Sequence, residues 1–91
     1  MKFVELYSII KQRKKERPVN SYVASLYKKG EDTILQKIGE EAIEVLLAAK
    51  GESKLRLIEE IADLYFMTLI LLVAQNIPLE KVFDELEKRR K

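Results

Sequence analysis

The sequence contains neither cysteine nor histidine. The lack of cysteine excludes disulfides and thiolate metal sites, and it is typical of a reducing, cytoplasmic compartment. The lack of histidine removes imidazole as a metal ligand, which excludes the di-iron helical bundles that depend on Glu-x-x-His pairs. A general base in this protein would therefore have to be a carboxylate, a lysine, a tyrosine or a water molecule.

Long apolar runs and a strong excess of one charge are also missing. The most apolar stretch, residues 64–74, is far shorter than the roughly 18–20 residues that span a bilayer. Residues 1–15 lack the apolar run and cleavage site of a signal peptide. Charged residues make up 35% of the chain, yet the net charge is only +2, which is not typical of a dedicated nucleic-acid-binding protein. We expect neither a membrane nor a nucleic acid as partner.

Apolar residues recur at helical spacing along most of the chain, and no strand pattern is present. This periodicity predicts an all-α fold in a single domain, residues 1–91. Five helices are expected, at residues 2–16, about 22–28, 33–50, 54–75 and 78–91.

Residues typical of helix ends flank several of these segments. Thr33 and Gln36 match a capping box at the start of the second long helix. Ser53 is the expected N-cap of the third long helix. Gly51 and Asn76 are expected to follow the ends of these two helices, in the position where a left-handed residue is common.

Residues 61–74 form a segment that is apolar on nearly every side of its predicted helix. Such a helix has to be covered on every side, and one chain of 91 residues does not have enough other helices to cover it. We therefore predict a helical bundle whose central four-helix core is completed by dimerisation, in a homodimer or an assembly of dimers.

Acidic residues share one face on each of two neighbouring helices. Glu40, Glu41 and Glu44 lie within about 100° of one another on the first, and Glu60 and Asp63 are i, i+3 neighbours on the second. If the helices pack antiparallel, these carboxylates converge and require a cation, for which Mg²⁺ is the expected one. A glutamate stripe alone is typical of a solvated face. Asp63, however, lies in the apolar segment, where an unpaired carboxylate is costly if it is buried.

Basic residues near the acidic face allow two interpretations. Lys37, one turn before the glutamates, could contact a phosphate group as a point charge, or it could form an i, i+4 ion pair with Glu41. Lys28, Lys29 and the basic residues of segment 11–17 could hold a polyphosphate, or they could form a solvated basic face.

The segments GEEAIEV and EEIAD resemble the EExxE…ExxD signature of the all-α nucleotide pyrophosphatases, which include MazG-type enzymes and dimeric dUTPases. The longer stretches SYVASLYKKGEDTILQKIGEEAIEVLLAAK, EEIADLYFMTLILL and LEKVFDELEKR resemble the phosphoribosyl-ATP pyrophosphatases of histidine biosynthesis, from about Ser21 to Arg89. The resemblance implies Mg²⁺-dependent hydrolysis of the α–β phosphoanhydride of phosphoribosyl-ATP, giving phosphoribosyl-AMP and pyrophosphate.

The resemblance also implies roles for individual residues. It implies that Glu40 orients water or binds a further metal ion, and that Lys37 lies at the phosphates. Val23 replaces a usual threonine in the substrate-side loop, and Met67 replaces a common histidine outside the metal site. Four carboxylates match the family's metal ligands: Glu41, Glu44, Glu60 and Asp63. The substrate-side loop is matched by Ser21, Tyr22, Lys29 and Gly30, with Lys28 beside them.

Two other functions remain compatible with these residues. A general nucleoside-triphosphate pyrophosphatase of the MazG type would act on dNTPs. A helical dimerisation module without enzymatic activity would carry the acidic residues only as part of its surface. Besides a second copy of the chain, the enzyme of the next pathway step is a candidate partner.

Overall fold

The structure is a computed structural model that describes residues 1–51 and 53–90. The described residues form five α-helices and no strand, which confirms the all-α prediction. Within the described residues, the observed helix bounds differ from the predicted ones by at most three residues. The predicted end of the last helix, Lys91, lies outside the described residues. None of the helices within these ranges combines the length and the apolar character needed to cross a membrane. The helices are α1 (Phe3–Glu16), α2 (Tyr22–Lys29), α3 (Glu31–Lys50), α4 (Lys54–Ala74) and α5 (Leu79–Lys88).

The two long helices α3 and α4 form an antiparallel pair that is the most extensive helix contact in the fold. At one end of the pair, Gln75 beyond α4 donates a side-chain hydrogen bond to Glu31 at the start of α3. Towards the other end, Arg56 of α4 approaches Glu44 of α3. This antiparallel register brings the middle of α3 opposite residues 60–63 of α4, where the predicted acidic residues lie.

The core forms where α1, α2, α3 and α4 meet. Ile10, Leu26, Ile34 and Ile70, one from each helix, are almost completely shielded from solvent. The side-chain hydroxyl of Tyr7 in α1 donates to the carbonyl oxygen of Ile77 at 2.8 Å, which fixes α1 against the turn between α4 and α5. Burial of these four branched side chains accounts for the attachment of α1 and α2 to the long helix pair.

The predicted serine cap and the asparagine turn are both present. The hydroxyl oxygen of Ser53 accepts a hydrogen bond from the backbone N–H of Arg56 at 3.2 Å. Asn76 has a φ of 58° and is therefore left-handed, as predicted. Gly51 also ends α3 as predicted, but with an extended backbone (φ −80°, ψ −174°) rather than a left-handed one. Local sequence signals were thus sufficient to locate these helix ends.

The predicted capping box is wrong. Helix α3 begins at Glu31, two residues before the predicted start, so Thr33 lies inside the first turn. Gln36 does not cap the helix but donates to Glu40 at 3.3 Å. The physical reason is Gly30, whose φ of 104° is rarely adopted by L side chains. It allows α2 to be followed by α3 with no residue between them other than the glycine.

One side of the α3–α4 pair is apolar and uncovered by the chain itself. Several large aliphatic or aromatic side chains on it are more than half exposed, whereas the sequence predicted cover on every side of α4. The missing cover is consistent with the predicted dimer, which stays a prediction. These side chains are Ile43 (57% exposed), Leu46 (67%), Leu47 (62%), Leu55 (66%), Ile58 (64%) and Tyr65 (52%).

Candidate metal centre

Three of the predicted carboxylates converge between α3 and α4. Glu41 comes from α3, while Glu60 and Asp63 come from successive turns of α4. One oxygen of each carboxylate lies within 4.8 Å of the others. The antiparallel register places Glu41 across from α4, and the i, i+3 spacing puts the other two side chains on the same face of that helix. The acidic cluster is defined below as these three residues.

The carboxylate of Glu41 lacks a partner for one of its oxygens. Its Oε2 atom is buried and has no hydrogen-bond partner. Burial raises the pKa of Glu41 above its usual range, and contact with Glu60 and the charges of Asp63 and Glu44 raise it further. Two ionised carboxylates cannot hydrogen-bond to each other, so Glu41 and Glu60 need either a shared proton or a cation between them.

The distribution of burial in the acidic cluster differs from the expectation. Asp63 was expected to be buried in the apolar segment, but its side chain is exposed. Glu60 is the buried member, with only 9% of its surface exposed. Asp63 lies on the same face of α4 as Glu60 but one turn further along the helix, at a position that the single chain leaves exposed. The argument that burial of a charge requires compensation therefore applies to Glu60 and Glu41 instead.

Arg56 is a residue of this site that the sequence analysis missed. Its Nη2 atom lies 3.6 Å from Oε1 of Glu60 and 3.9 Å from Oε2 of Glu44. Glu44 thus stands at the edge of the acidic cluster, and Arg56 links it to Glu60. The i, i+4 spacing of Arg56 and Glu60 was a signal available in the sequence. The guanidinium offsets only part of the negative charge at the site.

The other two predicted residues of α3 lie beside the acidic cluster rather than in it. Glu40 is exposed, and Gln36 donates to its Oε2 atom at 3.3 Å. Lys37 is half-buried and, in residues 1–51 and 53–90, has no ion pair with Glu41 or any other acid. Its ammonium group is therefore free for an anionic ligand, on the same side of α3 as Glu41 one turn later.

The predicted substrate-side loop is split between the two ends of α2. At the first end, Ser21 uses its hydroxyl oxygen to cap the helix, accepting from the N–H of Ala24 at 3.1 Å. Tyr22 is 55% exposed and stacks on Phe66, with 6.3 Å between ring centroids. Because Phe66 follows Asp63 by one turn of α4, this end of α2 lies near the acidic cluster.

The far end of α2 lies away from the cluster. Lys28 and Lys29 are exposed there, and Gly30 leads into the start of α3, which contacts Gln75 at the far end of α4. The two departures from the family pattern, Val23 and Met67, are both buried in the core. Their apolar side chains therefore fill space between helices.

The acidic cluster fits an oxygen-bound divalent cation. Its donors are carboxylate oxygens only, which are the ligands that Mg²⁺ prefers. Exposed acids often converge without a metal ion, but Glu60 is buried and Glu41 presents a buried oxygen without a donor. A cation at this position would satisfy that oxygen and reduce the repulsion among the carboxylates.

Comparison with known proteins covers almost the whole chain. The sequence profile of the phosphoribosyl-ATP pyrophosphohydrolase family matches residues 3–90. The chain belongs to this family. The match includes both helices that carry the acidic cluster, and it confirms the resemblance found in the motifs.

Individual phosphoribosyl-ATP pyrophosphatases support the same assignment. The enzyme of Pelobacter propionicus is 49% identical over 84 residues, which cover 92% of this chain and 78% of the relative. The enzyme of Methanocella arvoryzae is 45% identical over 89 residues (96% and 94%). That of Metallosphaera sedula is 47% identical over 87 residues (96% and 94%). These alignments cover 92–96% of this chain and 78–94% of the relatives, so the predicted class of hydrolase is confirmed over most of the chain rather than for a motif.

Proposed function

We propose that this protein hydrolyses phosphoribosyl-ATP to phosphoribosyl-AMP and pyrophosphate, with Mg²⁺, in the cytoplasm, as a step of histidine biosynthesis. Membership of the phosphoribosyl-ATP pyrophosphohydrolase family supports the substrate and the reaction. The single structural observation that carries the proposal is the convergence of Glu41, Glu60 and Asp63 around a buried carboxylate oxygen that has no partner.

The acidic residues of α3 and α4 would hold the cation. Glu41, Glu60 and Asp63 supply the converging oxygens, and Glu44 stands at their edge, where Arg56 keeps it close to Glu60. When bound, Mg²⁺ would share its coordination with phosphate oxygens and neutralise their charge.

Neighbouring side chains are suited to bind and orient the substrate. Lys37 can donate to a phosphate oxygen, because it has no acidic partner among the described residues and lies one turn before Glu41. The ring of Tyr22 stacks on Phe66 with one face, and a purine can stack on the exposed ring of Tyr22. Both groups lie beside the acidic cluster, so that the triphosphate and the nucleoside of one substrate can be held together.

The reaction requires an oriented water molecule. Its oxygen bonds to one phosphorus of the α–β anhydride, and the bridging P–O bond breaks, with the electron pair leaving on the departing phosphate group. Glu40 lies outside the converging group with Gln36 as its only hydrogen-bond donor among the described residues. We assign to Glu40 the role of orienting this water. Either Glu40 or Glu41 accepts the proton that the water loses.

The proposed enzyme is a homodimer or an assembly of dimers. The apolar side of α3 and α4 carries six large aliphatic or aromatic side chains that are more than half exposed, and large exposed apolar patches usually mark protein–protein interfaces. A second copy of the same helix pair would cover it symmetrically, as in other homodimers with a central four-helix bundle. An association with the next enzyme of the pathway would need another surface.

A substrate panel tests this function directly. Purified protein with Mg²⁺ should release pyrophosphate from phosphoribosyl-ATP but not from dNTPs, and chelation of the metal should abolish turnover. Glu44→Ala and Asp63→Ala should each reduce turnover by at least about a hundredfold, since each removes an oxygen close to where phosphate charge has to be neutralised. Turnover of dNTPs alone would favour a MazG-type enzyme, and full activity of both variants would refute the catalytic assignment.

A further inference from the structure

A second charged region lies at the opposite end of α4 from the acidic cluster. It is a groove of about 910 Å³ between α1 and the turn that connects α4 with α5. Lys11, Lys14 and Lys15 line one wall, and Val73 and Asn76 contribute to the other. The three lysines are spaced i, i+3 and i+4 on α1, which places their side chains on a single face of that helix. We call this region the basic groove.

The lysines of the basic groove are not neutralised by the fold. No ion pair joins any of them to an acidic residue within residues 1–51 and 53–90. Two acids, Glu16 and Glu80, also line the groove, and Glu16 accepts a hydrogen bond from Gln12 at 2.9 Å. Three lysines against two acids leave the groove with a net positive charge. Like charges at this spacing repel one another, so an anion in the groove would relieve the repulsion.

Lys14 is more constrained than a surface lysine. Its side chain is half-buried, and its Nζ atom lies 5.6 Å from the ring centroid of Tyr27, in a cation–π contact. Tyr27 is itself fixed to α4 through its hydrogen bond to Ile70. The ammonium group of Lys14 is therefore positioned by the core, which lowers the entropy that anion binding has to overcome.

The basic groove and the acidic cluster follow the same side of α4. Asp63, Phe66, Ile70 and Val73 are separated by three, four and three residues, a spacing that keeps them on one face. Asp63 belongs to the acidic cluster, Phe66 supports the exposed ring of Tyr22, and Val73 lines the basic groove. The ten residues from Asp63 to Val73 correspond to about 15 Å along the helix.

The substrate of the proposed reaction has a matching distribution of charge. Phosphoribosyl-ATP carries a triphosphate at one end and a ribose 5-phosphate at the other, with a ribose and the purine between them. We propose that the basic groove binds the phosphomonoester of the phosphoribosyl arm, through Lys11, Lys14 and Lys15. This inference rests on the proposed function. It assigns to α1 the selectivity for phosphoribosyl-ATP over ordinary nucleoside triphosphates, which lack the 5-phosphate of the phosphoribosyl arm.

Kinetics with two substrates test this assignment. The wild-type protein, Lys14→Gln and Lys15→Gln are compared on phosphoribosyl-ATP and on the same molecule without its 5-phosphate, N1-ribosyl-ATP. Each variant should raise KM for phosphoribosyl-ATP by about tenfold, as expected for the loss of one charged hydrogen bond, with little change in kcat. Neither variant should alter KM for N1-ribosyl-ATP. Arg13→Gln is the matched control, since Arg13 lies in the same turn of α1 but outside the groove, and it should resemble wild type on both substrates.

A second measurement does not depend on turnover. In NMR titrations of the full chain, ribose 5-phosphate should shift the backbone signals of Lys14, Lys15 and Asn76, whereas ribose should not. Equal KM changes on both substrates, or no shifts in the groove, would overturn the inference and leave the pyrophosphatase activity intact. Equal shifts with inorganic phosphate, without the difference in KM between the substrates, would identify a site for free phosphate and would also overturn it. Absence of hydrolysis would instead refute the proposed function.

Discussion

The hydroxyl group of Tyr27 in α2 donates a hydrogen bond to the carbonyl oxygen of Ile70 in α4, at 2.7 Å inside the core. This bond ties the short helix to the long helix that carries two members of the acidic cluster. It also fixes the position of α2, so that Tyr22 at the start of the same helix stacks on Phe66. The interior of the bundle thereby positions an exposed aromatic ring near the candidate metal centre.

The burial of the Tyr27 hydroxyl group predicts how stability depends on alkaline pH. Burial raises the pKa of Tyr27 well above its usual range, with a smaller contribution from Tyr7. In the unfolded chain a tyrosine ionises near pH 10, whereas the folded state keeps Tyr27 neutral. The stabilisation is therefore complete below about pH 10 and is lost progressively as the pH rises above that value.

Tyr27→Phe should show this dependence. At pH 7 it should lower the free energy of unfolding by about 1 kcal/mol, because the hydrogen bond to Ile70 is lost. Above pH 10 the wild type should lose stability more steeply than the variant, and the difference should shrink. Urea unfolding at several pH values measures both effects, with Tyr22→Phe, at a tyrosine that is 55% exposed, as the control. Parallel pH profiles for wild type and Tyr27→Phe would contradict the prediction.

Glu41→Gln should distinguish two effects of the acidic cluster, the destabilisation of the metal-free protein and the binding of metal. The change removes a charge whose carboxylate carries a buried oxygen without a donor, so the metal-free protein should become more stable by about 1 kcal/mol. Mg²⁺ at ten to thirty times its Kd should stabilise the wild type by about 1–2 kcal/mol and the variant much less. Thermal unfolding with and without Mg²⁺ measures this, and the exposed Glu59→Gln is the matched control. An equal Mg²⁺ effect in wild type and Glu41→Gln would refute the metal site.

Several features of this site could be predicted from the sequence because they depend on local spacing. The i, i+3 pair Glu60 and Asp63 had to share a face of its helix, and the short connection between the two long helices favoured their antiparallel packing. The hydroxyl of Ser53 had no better local partner than the first turn of α4. Each of these predictions needed only neighbouring residues and the geometry of the helix.

Other features depended on contacts that spacing does not contain. The sequence places Asp63 among apolar residues, but only the fold determines that Asp63 is exposed while Glu60, on the same face of α4, is buried. The start of α3 depended on the backbone of Gly30 and on the contact of Glu31 with Gln75, 44 residues away. The position of Arg56 between Glu44 and Glu60 required two helices to be placed side by side. These features depend on tertiary contacts between helices, so helix propensity and periodicity alone could not predict them.

Arg56→Gln is expected to strengthen Mg²⁺ binding. In the absence of metal, Arg56 is the only basic side chain of the described residues that forms an ion pair with the acids at this site. Its removal leaves the acidic cluster more negative and should raise Mg²⁺ affinity about two- to fivefold, the modest effect expected for an exposed pair. Isothermal titration calorimetry at fixed ionic strength measures the change, and Lys54→Gln, in the first turn of the same helix, controls for the loss of net charge. Unchanged or weaker binding in Arg56→Gln would show that the arginine does not compete with the cation.

A charged residue on the apolar side of α3 and α4 should dissociate the protein. The wild type is expected to sediment as a dimer, or as an assembly of dimers, at micromolar concentration. Leu46→Glu and Ile58→Glu, at positions 67% and 64% exposed in the single chain, should yield monomers because each would place an unpaired carboxylate in an apolar interface. Val19→Glu is the matched control, since Val19 is 99% exposed but lies in the loop between α1 and α2. A monomeric wild type would refute the dimer, and dissociation by Val19→Glu would place the contact on another surface. If both helix variants remain dimeric with wild-type stability, then the exposed apolar side of α3 and α4 is not the surface through which two copies associate.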